Sequence, residues 1–257
     1  DDGFAFRYSV SGNGDREEFI MLDELSEFAI ASDPESWWIK AYQWNRYEYL
    51  YEQSLLSEID TVHTPVTMKV NPNLYLSIHE AALTDYASMT IEQTGGNTLK
   101  CNLVPWADGT KVKGKFPLLS PWRTVQINDT AGGLISSYLI LNCNEPNKLT
   151  DVSWIKPGKY IGIWWGMHLG TMTWYEGDIH GATTDNSKEY INYAAEFGFD
   201  GVLIEGWNKG WNSDWFKDGN VFSFTESFKD FDLDAITEYG KQKDIKVIGH
   251  HETSAAI

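Results

Sequence analysis

A β domain followed by the opening of a parallel (β/α)8 TIM barrel is the fold class this sequence predicts. Three observations carry the prediction. The first 150 or so residues are short β-branched and aromatic runs punctuated by turn residues, which is the rhythm of a sandwich. From Tyr160 the pattern becomes strand, helix, strand, helix, strand, the rhythm of a parallel sheet. Three strands fall short of the eight strands and about 250 residues of a closed barrel. The barrel in this chain is therefore expected to be incomplete. With 257 residues and about 150 residues per domain, two domains are expected, divided as 1–150 and 151–257.

The elements follow in order. Phe4-Ala5-Phe6-Arg7-Tyr8 is strand-like from the first residues. Val66–Val70 and Tyr75–Ile78 are β-branched or aromatic, with Asn71-Pro72-Asn73 between them as a turn. Ser11–Asp15, Gly95-Gly96-Asn97 and Gly132-Gly133 read as further turns. Asp33–Trp38 and Tyr42–Tyr51 are aromatic-rich and are read as sheet packing. Polar Asn142–Ser153 reads as a linker. Tyr160–Trp165 is a compact apolar run, and Gly201–Ile204 and Ile245–Gly249 are buried-strand patterns. Between them, Tyr190, Ile191, Ala194 and Ala195 fall at helical spacing within Asn186–Phe197, with Gly198 as the stop. Leu233–Tyr239 starts a second helix, which ends near Gly240–Asp244.

Composition narrows the function. The net charge is −17, which repels nucleic acid and anionic membrane alike. No apolar run reaches the roughly 18 residues a membrane span needs, so no membrane insertion is expected. Twelve Trp and 13 Tyr exceed what a core requires and lean toward sugar binding. Cys101 and Cys143 are the only cysteines, too few for a disulfide scaffold or a Cys-rich zinc site. Their pairing stays open at this point. No signal peptide is visible, and the chain opens on Asp1 rather than Met.

Catalytic groups of barrels stand at the C-terminal ends of strands. The first strand delivers Trp164, Trp165 and His168; the second delivers Glu205, Gly206, Trp207 and Asn208; the third delivers His250, His251 and Glu252. Two carboxylates at neighbouring strand ends, framed by Trp, suit glycoside hydrolysis. That reaction needs one acid to protonate the leaving oxygen and one carboxylate to activate water or attack carbon. A buried, paired carboxylate is the bland alternative for Glu205 and for Glu252. His250 and His251 can orient a carboxylate, contact sugar or bind metal. His79–Leu83 reads by composition as a surface loop, with Glu80 placed at a strand end.

These motifs together resemble glycoside hydrolase family 97. The resemblance rests on Lys156–Tyr160, Trp164–His168, His180–Thr184, Gly201–Asn208, Phe231–Leu233 and Ile248–Ser254, with His79–Leu83 and Ser120–Arg123 upstream. It covers nearly the whole chain. It implies an N-terminal β-super-sandwich followed by the first three β/α units of a (β/α)8 barrel. It implies a calcium-dependent hydrolase of α-linked glucose or galactose oligosaccharides, periplasmic or secreted. Glu252 matches a base of the inverting α-glucosidases. Glu205, Trp164, Trp165, His168, Trp207, Asn208, His250 and His251 would line the sugar subsite. Glu80 matches a sandwich residue of the calcium site. One departure is Ala255, where the family usually has Gly. The general acid, most calcium ligands and the nucleophile of the retaining α-galactosidases would lie beyond residue 257. Residues 1–257 alone are therefore expected to be inactive. The rivals are a retaining α-galactosidase, a non-catalytic carbohydrate-binding protein, and a barrel completed by another chain.

Overall fold

The computed structural model describes residues 2–12, 17–43 and 48–252. The chain divides into two compact units, Asp1–Lys148 and Leu149–Ile257. The turn read at Ser11–Asp15 and the aromatic stretch Tyr42–Tyr51 fall partly outside the described residues, as do Thr253, Ser254 and Ala255. No helix among the described residues is long and apolar enough to cross a membrane.

The first unit is antiparallel β structure. A six-stranded sheet runs in the order Gly3–Phe6, Trp122–Asn128, Leu74–Ala81, Val66–Asn71, Glu35–Trp38 and Glu52–Leu55. A four-stranded sheet runs Glu27–Ala29, Thr98–Leu103, Met89–Gly95, Thr61–His63. Period-two alternation decides which faces turn inward. Val66 and Met68 are buried while Thr67 and Lys69 are less so; Leu99, Cys101 and Leu103 alternate with Thr98, Lys100 and Asn102 in the same way. These inward residues join Phe28, Trp38, Leu56, Val62, Ile78, Ile91 and Val125 in one apolar core. Asn71-Pro72-Asn73 makes the expected turn, with Asn71 Oδ1 accepting from the Asn73 N–H at 2.9 Å.

Gly132-Gly133 departs from expectation. It lies in the short helix Ala131–Ile135, not in a turn. The Thr130 side chain caps that helix by accepting from the Gly133 N–H at 3.1 Å. A Cβ on Gly133 would fall 1.9 Å from Asn128 Oδ1, so close packing, and not turn geometry, explains that glycine.

His79–Leu83 is the second departure. His79, Glu80 and Ala81 end the Leu74–Ala81 strand, and Glu80 is buried. A buried Arg123 explains it. Arg123 is 0% exposed and grips Glu24 twice, from Nε to Oε1 at 2.7 Å and from Nη2 to Oε2 at 2.5 Å. Its Nη1 donates to Glu80 Oε2 at 2.7 Å, and Glu80 Oε1 accepts from the Met89 N–H at 2.9 Å. Ser26 and Tyr86 hydroxyls also donate to Glu24, at 2.8 and 2.9 Å. Burial alone would raise the Glu24 pKa, but Arg123, Ser26 and Tyr86 together hold it below the ordinary value.

Both cysteines are free thiols. Burial pushes the Cys101 pKa up to about 12, so its nucleophilic thiolate is absent at neutral pH. Native protein is expected to react with a thiol reagent at Cys143 well before Cys101, with Cys101 released only on denaturation. Mass-resolved alkylation checks this, and rapid labelling of Cys101 in the native state would contradict it.

The second unit holds a three-stranded parallel sheet. Tyr160–Ile163, Gly201–Ile204 and Lys246–Gly249 lie in chain order, with Gly201–Ile204 in the middle. Helix Thr184–Phe197 crosses from the first to the second strand. The Thr183 side chain caps it, and Gly198 ends it at φ +71°. Helix Leu233–Gln242, capped by Asp232 Oδ1 on the Ala235 N–H at 2.9 Å, crosses from the second to the third. Ile191 and Ala194 of one helix and Ile236 of the other bury against Ile163, Val202 and Ile204. The apolar run Tyr160–Trp165 is not one strand. It stops at Ile163, and Trp165 opens the short helix Trp165–His168. The Trp164 ring folds back over Gly162, where a Cβ would fall 2.4 Å from it.

Candidate functional site

Register builds the site. Ile163, Ile204 and Gly249 pair level across the sheet, so Trp164, Glu205 and His250 emerge side by side at the C-terminal edge. Two backbone bonds continue the ladder past the strands: the Glu205 N–H to Ile163 O at 3.3 Å and the His250 N–H to Ile204 O at 3.1 Å.

There the side chains converge. His250 Nε2 donates to Glu252 Oε1 at 3.1 Å and lies 3.5 Å from Glu205 Oε1. Glu205, His250 and Glu252 each offer a ligand atom, all within 4.8 Å of one another. They form a candidate metal-coordinating cluster. Burial raises the Glu205 pKa first of all, and the Glu252 charge adds to that; His250, Trp174 and His168 oppose it. The donor set is two carboxylates and one imidazole. Calcium takes about six to eight oxygens, so this set does not by itself satisfy calcium.

The aromatic residues separate into two groups. Trp164, Trp165 and His168 are exposed, Trp165 at 58%. Their rings meet edge-on or tilted, at centroid distances of 5.3 Å for Trp164–Trp165, 5.2 Å for Trp164–His168 and 6.1 Å for Trp165–His168. Trp207 and Asn208, by contrast, are buried at 6% and 0% exposure. The Trp207 indole N–H donates to His250 O at 3.0 Å. Asn208 Nδ2 donates to Ser223 O at 2.8 Å, and its Oδ1 accepts from the Trp211 indole at 3.0 Å. Both residues support the loop from behind instead of facing outward. His251 stacks on Phe224 at 4.4 Å and meets Trp207 edge-on at 5.2 Å. Burial and then the His250 charge lower its pKa.

Two further residues belong here that sequence reasoning missed. Trp174 packs edge-on to His168 at 5.2 Å and stacks on Trp211 at 6.1 Å. Trp211 in turn lies 6.2 Å from the His250 ring. Neither tryptophan stands at a strand end, and neither sits in a periodic run that would have marked it. Glu80 lies in the other unit, with both carboxylate oxygens engaged as described above.

The family follows from sequence profiles. Residues 1–146 match glycosyl-hydrolase 97 N-terminal, and residues 164–257 match glycoside hydrolase 97. The chain belongs to glycoside hydrolase family 97. Solved family 97 structures from Pseudoalteromonas sp. strain K8 are similar to it. An enzyme in complex with acarbose is 52% identical with a TM-score of 0.91, over 98% of this chain and 38% of that one. A variant in complex with panose gives the same identity, coverage and TM-score. Among curated proteins, a retaining alpha-galactosidase of Bacteroides thetaiotaomicron is 24% identical over 97% of this chain and 41% of that protein. The chain thus spans about two fifths of the length of these relatives. Their likeness extends to the architecture: a β-sandwich followed by part of a (β/α)8 barrel.

Proposed function

We propose that the protein carrying this chain is a glycoside hydrolase that cleaves α-linked glucosides with inversion. The observation that supports it most is the Glu205–His250–Glu252 cluster at adjacent strand ends beside the exposed Trp164–Trp165–His168 surface. Acarbose and panose, held by the Pseudoalteromonas structures, support an α-glucoside as substrate.

In this reading Glu252 is the base. It takes a proton from a water as that water attacks the anomeric carbon. His250 donates to Glu252 and keeps the carboxylate turned toward the water. Glu205, with its pKa raised, is biased toward its protonated form and suits a hydrogen bond to a sugar hydroxyl. Trp164, Trp165, His168 and His251 supply ring contacts, while Trp207 and Asn208 hold the loop. Glu205 and Glu252 are too close to be an acid–base pair for inversion, which leaves about 6.5–9.5 Å for the water. The proton donor must therefore be a third group.

A second reading, a retaining α-galactosidase, has a specific observation behind it. It is the activity named for the curated relative, and it would place the nucleophile on an Asp outside residues 1–257. One experiment separates the two. The protein at its natural length is given p-nitrophenyl α-glucoside and α-galactoside, and proton NMR follows the anomer released first. β-Glucose is expected. α-Galactose as first product would replace the main reading with the second, and no turnover of either would leave a carbohydrate-binding protein.

Calcium belongs to the same proposal, on the strength of the family resemblance. Glu80 would contribute an oxygen to it in the natural-length protein, and it would polarise the substrate as a hard cation. Calcium at 100 times its Kd is expected to stabilise that protein by about 2.7 kcal/mol, seen as a rise in Tm after chelator treatment. Glu80→Gln should shrink the rise. A Tm indifferent to both chelator and calcium would remove calcium from the scheme.

A further inference from the structure

His180 touches no member of the Glu205–His250–Glu252 cluster, yet it is tied to the backbone that carries it. Its side chain is 0% exposed and sits edge-on to Phe228 at 5.4 Å. Nε2 lies 3.0 Å from Gly206 O, and Nδ1 lies 2.7 Å from Asp230 Oδ2. A carbonyl oxygen only accepts, so the Nε2 proton points at Gly206, and a second proton lies between Nδ1 and Asp230 Oδ2 in that hydrogen bond. Asp230 then holds the other side of the ring, as carboxylates do when they fix the orientation of a working histidine. That contact is the only hydrogen bond the Asp230 carboxylate makes among the described residues; its Oδ1 is buried without a partner.

Asp230 is itself held. The Thr184 N–H and hydroxyl both donate to Asp230 O, at 2.8 and 2.9 Å, at the start of the Thr184–Phe197 helix. On the other side, Gly206 follows Glu205 directly at φ +80°, and a Cβ there would meet Trp174 O at 2.9 Å. The peptide that His180 grips leads into Trp207, whose indole N–H holds the His250 carbonyl. One imidazole thus anchors the turn behind Glu205 and, through Trp207, the backbone of His250.

We propose that His180, oriented by Asp230, is a positioning residue for Glu205 and His250. The proposal deepens the glycosidase reading and rests on it for its catalytic consequence. Without His180 the Gly206 carbonyl loses its donor, the turn relaxes, and the cluster opens. A misplacement of about 1 Å at a reacting centre costs on the order of 10²-fold, and loss of an outer orienting partner costs about 10- to 100-fold.

The test uses the protein at its natural length. His180→Ala removes the donor. His180→Gln keeps a donor for Gly206 O but turns an amide oxygen toward the Asp230 carboxylate, so two acceptors face each other. Asp230→Asn in that background supplies an amide donor and closes the chain again. Both single His180 variants are expected to lose about 10- to 100-fold in kcat/KM per folded molecule, and His180→Gln/Asp230→Asn should regain most of it. A merely structural role would lower Tm and leave kcat/KM of the folded fraction unchanged; that result overturns the proposal. Crystal structures of the variants give a readout free of turnover. The 3.5 Å approach of His250 to Glu205 should be lost in His180→Gln, and an unmoved Glu205 sinks the idea. A wild type that hydrolyses no α-glycoside would fail the glycosidase reading alone, and the variant structures would still decide the positioning role.

Discussion

Glu252→Gln in the natural-length protein is expected to lower kcat by about 10²- to 10⁴-fold, the range a positioned general base contributes. The substitution keeps the shape and the acceptor for His250 Nε2 but cannot take a proton. KM should change little, because the amide still fills the same space. Glu205→Gln should behave differently. If Glu205 works mainly as a hydrogen-bond partner of the sugar, the amide replaces it with a modest rise in KM. Steady-state kinetics of the two variants side by side read this split. Full turnover by Glu252→Gln would move the base elsewhere, and equal kcat losses would mean that the two carboxylates share the chemistry.

The second large effect concerns stability. Arg123→Met is expected to destabilise the sandwich by about 3–5 kcal/mol, the usual consequence of stranding buried charge. Arg123 is fully buried between Glu24 and Glu80, and methionine fills the space without answering either carboxylate. The loss should depend on pH in a definite direction. In the wild type the Glu24 pKa lies below the ordinary value of 4.5. Its pairing therefore contributes fully above that value and fades as pH falls through the folded pKa. In the variant the Ser26 and Tyr86 hydroxyls still donate to Glu24, but the guanidinium no longer opposes burial, which raises the pKa and penalises the ionised form. The difference in Tm between wild type and variant should thus be largest at neutral pH and shrink on acidification. A difference that is flat or grows toward low pH would show that Arg123 acts through packing alone.

Much of the second unit was legible because its signals are local. Gly201–Ile204 announces a buried strand by composition, and Glu205 follows it without a gap. The same holds for Lys246–Gly249 and His250. What was not legible depends on chain segments far apart. Glu80 reads as loop because nothing near it betrays Arg123, 43 positions on. His180 and Asp230 meet across 50 positions, and no spacing rule reaches so far. Trp207 and Asn208 sit in the loop expected, but the sequence shows only that they follow Glu205. Their burial comes from partners such as Ser223 and His250. Gly132-Gly133 misleads for a different reason. Glycine disfavours helix, and Thr130 with Asn128 overrides that preference.

The level pairing of Ile163, Ile204 and Gly249 sets where this chain can tolerate changes in length. The Thr184–Phe197 and Leu233–Gln242 crossovers only return the chain to the start of the next strand. A residue added in the exposed connections around them lengthens the path and leaves the strands aligned. One residue inserted within Gly201–Ile204 does something else. Alternate side chains of a strand point to opposite faces, so the shift turns every following side chain over. Glu205 would leave the rim, and Ile204 would take its place beside His250. Homologues that differ in length are therefore expected to carry their insertions in the connecting segments and almost none within these three four-residue strands.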